Sequence, residues 1–177
     1  PVISRRALLK AAGAVCAAPI LPLAACRGNS PAVIVTRPAD VRIVSVDHQF
    51  EEFRYRAPYQ FGGRSVDRVT VLNVNCRVQT TGGKDAWGFG SMTLGNAWAF
   101  PAVPHEPGLA AMKALADALQ PVTAVCDERG HPIDLFRALE PEYLRAAATV
   151  SGAMTLPTPL PKLCTLVVAS AFDAAIH

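Results

Sequence analysis

The sequence runs to 177 residues, enough for one ordinary domain. With 51% hydrophobic and 18% charged residues it has the composition of a core-forming chain, which excludes intrinsic disorder. The formal charge of +3 comes from Arg5, Arg6 and Lys10. The rest carries equal numbers of bases and acids, so no basic surface is left over for nucleic acid.

Residues 1–26 have the three parts of an export signal: a charged start, an apolar middle from Ala11 to Ala25, and small residues before a cleavage point. The paired Arg5 and Arg6 match the twin-arginine type, which carries folded cargo. Leu23, Ala24, Ala25 and Cys26 resemble a bacterial lipobox, in which the cysteine thiol receives a lipid. A membrane span is the alternative, but the apolar run is too short and is interrupted by Pro19 and Pro22. The expectation is therefore an exported protein, periplasmic or attached to a membrane through lipidated Cys26. Residues 27–40 read as a tether.

Among the remaining cysteines, Cys76, Cys126 and Cys164, no pair has the close spacing of a zinc or redox motif, so buried free thiols are expected. His48, His105, His131 and His177 are equally scattered and define no metal site.

Residues 41–50 alternate apolar and polar side chains as a half-buried strand does. Residues 68–80 form a second strand. Leu72, Val74, Cys76 and Val78 share one parity, Val69, Val71, Asn73, Asn75, Arg77 and Gln79 the other, so the apolar face switches midway or a bulge shifts the register. Thr81, Gly82, Gly83 and Lys84 signal a hairpin turn, and residues 86–91 a short third strand returning beside the second. Two connections in this meander are long, 51–67 and 92–106, and loops of such length tend to carry function.

Beyond Pro107 the texture becomes helical. Leu109, Met112, Leu115, Ala116 and Leu119 keep a helical rhythm that Pro121 is expected to end or kink. Two short helices follow, over 132–139 and 141–148. A proline-rich connector at 156–161 then leads into a last helix from Lys162 to His177. Apolar nearly all round, that helix needs cover from further protein on most sides. It reaches His177 without a C-cap glycine, and the first residue is proline, so the sequence reads as a fragment of a longer chain.

Three antiparallel strands, a helical set, and a final small-apolar helix carrying Asp173 and His177 resemble the N-terminal capping domain of the enolase superfamily, in its mandelate racemase and muconate lactonising enzyme branch. Residues 59–63 followed by 68–71, and the Gly83 turn into the glycine-rich strand at 87–91, are similar to that family in order and spacing. The expected fold class is α+β: a three-stranded antiparallel meander followed by a helical bundle over residues 41–177, with the barrel domain absent.

The resemblance implies proton abstraction α to a carboxylate, with the enediolate stabilised on Mg2+. The metal carboxylates and the lysine or histidine base belong to a (β/α) barrel, so no catalytic or metal residue is assigned here, and Asp173 is read as structural or capping. The cap supplies two loops that close over the barrel mouth. They map to the two long connections, with Arg54, Tyr55, Arg56, Tyr59 and Phe61 in the first and Met92, Asn96 and Trp98 in the second, beside Leu94 and Phe100. Arginine suits a substrate carboxylate or phosphate, and the aromatics suit an apolar wall. Set against this is the ordinary assignment, arginines as solvated charges and aromatics as packing.

The expected partners are a small carboxylic-acid substrate such as a sugar acid, the protein's own barrel domain and, in an assembly, further copies. The residues at 1–177 alone are expected to show no turnover. The rival expectation is a non-catalytic exported lipoprotein that binds a ligand or partner. The apolar last helix counts against it, since a finished protein would expose that surface to water.

Overall fold

The structure is a computed structural model that describes residues 37–61 and 63–177. The expected export signal, the expected lipobox with Cys26 and most of the expected tether lie outside the described residues. No helix among the described residues is long and apolar enough to cross a membrane.

The fold is α+β. Strands β1 (Val41–Phe61), β2 (Arg64–Thr80) and β3 (Asp85–Thr93) form the expected meander, and a two-residue β4 (Arg129–Gly130) pairs with the start of β1. The sheet is thus four-stranded and antiparallel, in the order β3-β2-β1-β4. Helices α1 (Asn96–Ala99), α2 (His105–Ala124), α3 (Pro132–Ala153) and α4 (Lys162–Ile176) complete the chain. Helix α4 lies against β3 and β2, α2 against β1, and α3 packs on both α2 and α4.

Thr70, Leu72, Val74, Cys76 and Val78 point into the core without interruption, so the apolar face of β2 does not switch. The bulge sits in β1 instead. Ile43 pairs with Val78 and Ser45 with Arg77, which leaves Val44 as an extra, exposed residue. One inserted residue reverses inward parity. Val41 and Ile43 are buried before it, and Val46, His48 and Phe50 turn inward after it.

Gly88 and Gly90 bring β3 against α4. A Cβ on Gly90 would lie 1.9 Å from the Ala171 carbonyl oxygen, and one on Gly88 2.1 Å from that of Ala175. Only strand residues without side chains admit a helix backbone so closely.

One proline expectation is corrected: Pro141 lies inside a single α3 that replaces the two short helices, while Pro121 lies in the last turn of α2. A helical proline removes a hydrogen bond to the carbonyl four residues earlier. Here those residues are Asp117 and Arg137, and all four side chains are exposed, so the prolines fall on solvent faces where water can satisfy the freed carbonyls.

The last helix is covered by this chain itself. Cys164, Val168, Ala171, Phe172 and Ala175 are fully buried between the sheet and the other helices. The argument from an uncovered helix against a self-contained binding module therefore falls. Cys76 and Cys164 are buried free thiols, pushed up by burial to about 11 and about 12, and Cys126 is half-buried and also free. His48 ties β1 to α2, with Nδ1 2.7 Å from Gln120 Oε1 and Nε2 2.9 Å from Asp117 Oδ1.

Candidate functional site

The first long connection is not a loop. Strands β1 and β2 run on past the core as a two-stranded arm in which Glu51 to Arg54 pair with Val71 to Arg68, and Tyr59 to Phe61 with Val66 to Arg64. Between these stretches four residues of β1 face one of β2, which lets Pro58, with no N–H to offer, sit outside the ladder. The second connection is mostly ordered secondary structure too: Met92 and Thr93 end β3, α1 follows, and α2 begins at His105.

The arm and the second connection meet in an open cleft. From the arm come Tyr55, Tyr59 and Phe61, from the second connection Leu94, Asn96 and Trp98. The aromatic side chains of the arm and Trp98 stay part-exposed, Tyr55 by 37%, Tyr59 by 45%, Phe61 by 43% and Trp98 by 42%. Tyr55 and Tyr59 meet edge to face with centroids 5.3 Å apart. Burial, and then the neighbouring Tyr59, pushes the Tyr55 phenol above its ordinary range. Gly95 makes room for Trp98, because a Cβ there would lie 2.2 Å from the indole Nε1.

The other expected site residues fare differently. Asn96 is buried, and its amide Nδ2 donates to the His105 carbonyl at 2.5 Å, which pins α1 to the start of α2. Leu94 is buried at the cleft floor, while Phe100 belongs wholly to the core and Met92 packs against it, away from the cleft. Arg54 lies in a separate groove with Glu52, Phe53 and Arg68, and Arg56 is exposed on the arm without lining the cleft.

Four polar residues absent from the expected set line the cleft: Arg68, Thr70, Thr93 and His105. Arg68 lies one residue beyond the connection drawn from sequence and shares parity with the inward row Thr70 to Val78. It therefore continues the core-facing row past the point where the helices cover it. Treating 64–80 as one strand with a single inward parity is the signal that finds it. No carboxylate lines this cleft.

A second open groove adjoins the first and shares Val66, Arg68, Ala97 and His105 with it. Arg64, Asp67 and Glu106 also line it. Arg64 Nη2 donates to the Pro101 carbonyl at 3.0 Å, while Nη1 is buried with no hydrogen-bond partner among the described residues. Asp67 pairs with Arg68 Nε at 3.3 Å, with both side chains about half exposed, so the pair holds Arg68 weakly.

The described residues do not fit the Mg2+ that the resemblance implies for a full-length enzyme: among them no group of three or more His, Cys, Asp or Glu side chains is placed to hold a metal ion. The cleft sets a cationic side chain, Arg68, beside aromatic walls.

No protein-family model matches this sequence. No curated protein matches it either. Solved structures do show a likeness. An enolase from alpha pretobacterium bal199 with bound Mg is 14% identical over 77% of this chain and 30% of its own, with a TM-score of 0.47. The L-talarate/galactarate dehydratase from Salmonella typhimurium LT2 is 16% identical over 80% of this chain and 31% of its own, with a TM-score of 0.43. For the L-Ala-D/L-Glu epimerase from Bacillus subtilis the identity is 14%, the coverage 76% and 30%, and the TM-score 0.40. This chain spans about 30% of the length of the enolase it matches. At these identities and scores the likeness carries no functional argument.

Proposed function

We propose that this chain is the substrate-closing domain of an exported, Mg2+-dependent lyase or isomerase that removes a proton α to a carboxylate. The sequence resemblance to the mandelate racemase and muconate lactonising enzyme branch of the enolase superfamily supplies the reaction class. The observation that carries the reading is the meeting of two remote segments: residues 55–61 and 93–98 wall one cleft, with Tyr55, Tyr59, Phe61 and Trp98 held part-exposed around it. Large aromatics grouped around a hollow, and not in the chain's own core, mark a surface that something else covers.

In this role the chain binds and shields. Arg68 and His105 face an anionic group, the aromatics cover its apolar part, and closure of the arm excludes water from the reacting carbon. The base and the metal carboxylates belong to a barrel domain. Export through Arg5 and Arg6 and lipid attachment at Cys26 are part of the same proposal. The runner-up, a non-catalytic exported lipoprotein that binds a ligand, gains from one observation: the core closes within this chain, with α4 covered by its own sheet.

The test is α-proton exchange. Protein expressed from the natural reading frame is incubated with Mg2+ in D2O against a broad panel of carboxylic acids and followed by proton NMR. The expected result is deuterium at the α carbon of at least one acid, abolished by EDTA, with Trp98→Ala raising KM several-fold. No exchange with any acid overturns the catalytic reading and leaves the binding protein.

A further inference from the structure

We infer that the open edge of the β1 arm pairs antiparallel with the same edge of a second copy of this chain, in the register that sets Glu52 of each copy opposite Arg54 of the other. Backbone geometry comes first. Leu94 N donates to the Thr70 carbonyl, so Thr70 turns its N–H and C=O groups away from β1. Its neighbours Val69 and Val71 turn theirs toward β1, where they face Phe53 and Glu51. The N–H and C=O groups of Phe50, Glu52 and Arg54 then point to the far side of β1. Strand β4 pairs on that side only with Val41 and Arg42, so among the described residues no strand meets Phe50, Glu52 or Arg54 there.

Charged side chains commonly blunt such an edge. Here their order favours one partner instead. Residues 51–56 read Glu, Glu, Phe, Arg, Tyr, Arg, with two acids before Phe53 and two bases after it. Antiparallel pairing about Phe53 brings Glu52 against Arg54 of the second copy twice over, with Cα atoms about 5.5 Å apart. Centring the pair on Glu52 would set Glu52 against its own copy, and centring it on Arg54 would do the same to Arg54. Charge therefore selects the register. Among the described residues Arg54 and Arg56 make no side-chain hydrogen bond or ion pair, and Glu52 has only the part-exposed Lys113 at 3.2 Å. Phe53, 52% exposed, would meet Phe53 of the second copy across the axis as an aromatic pair. The arm is exposed on both faces, and a two-stranded ribbon is marginal by itself; pairing makes it part of a four-stranded one. So short a seam buries less than the roughly 1,600 Å² of a standard complex, which makes the association reversible and salt-sensitive.

The test is sedimentation of the full 177-residue chain over a range of concentrations, for the parent and two charge variants. Glu52→Arg sets base against base in both pairs, and Arg54→Glu sets acid against acid. Each variant alone should therefore dissociate about tenfold more readily than the parent, or more. An equimolar mixture of the two restores both opposite-charge pairs and should regain the parent's dimer. Misfolding, or loss of the Lys113 contact, could not produce that rescue. Oxidative crosslinking reads the register independently. The Cα of Phe53→Cys should lie about 4.5 Å from its copy, close enough for an interchain disulfide. Glu51→Cys, about 13 Å from its copy in this register, should form none. A parent monomeric at every concentration would overturn the inference and leave the edge to a different protein. Charge variants that dimerise as the parent does, a mixture that recovers no dimer, or Phe53→Cys crosslinking no better than Glu51→Cys would each overturn it as well. The readout needs neither ligand nor reaction, so its failure is separate from failure of the exchange assay.

Discussion

At Gly90 a side chain has nowhere to go, since its Cβ would overlap the Ala171 carbonyl, a backbone atom of a buried helix that cannot swing aside. Gly90→Ala is expected to cost about 2–3 kcal/mol through overpacking, measured by urea denaturation. The glycine-rich texture of this strand was visible in the sequence; that each glycine faces a helix carbonyl was not. Asp173 offers a second test. Burial raises its carboxyl above the usual range, opposed by His177, whose Nε2 lies 3.4 Å from Oδ1. A carboxyl raised in the folded state adds stability below its unfolded pKa and loses it as pH climbs through the folded value. Asp173→Asn should therefore become progressively more stable relative to the parent between roughly pH 3 and pH 7. A difference in urea midpoints that stays flat across that range rejects this account.

At the scale of elements, helix-breaking residues misled the sequence reading for a definable reason. Pro121 reads as the end or a kink of its helix and Pro141 as the start of a separate one, yet each lies within a helix, on a solvent face four residues after another exposed position. The penalty is small where the freed carbonyl meets water and large where it is buried. Pro141→Ala should accordingly stabilise α3, by about 1–2 kcal/mol once the stiffening that proline gives the unfolded chain is subtracted, as read from thermal or urea unfolding. The arm carries a related lesson. Residues 51–61 are exposed on both faces, so they lack the burial-driven alternation by which a strand is read from sequence, and their pattern reads as a loop. Their pairing with 64–71 is set by backbone hydrogen bonds, which leave little trace in side-chain pattern.

For the molecule as a whole, the export proposal makes a direct prediction. Replacing Arg5 and Arg6 together by lysine should retain the protein in the cytoplasm, because lysine lacks the planar guanidinium fork, and cell fractionation reads the outcome. By itself the sequence determined the α+β class, the three main strands in order and the two segments worth watching. These follow from periodicity and turn chemistry, which report on neighbours a few residues away. Tertiary structure alone decided that Tyr59 and Trp98 share a cleft with Arg68, that Phe100 belongs to the core, and that α4 is covered from within. Those outcomes depend on strand register, and in β1 the single extra residue Val44 reverses which parity faces inward. Where such an insertion falls is settled by the packing of distant elements, which no local pattern records.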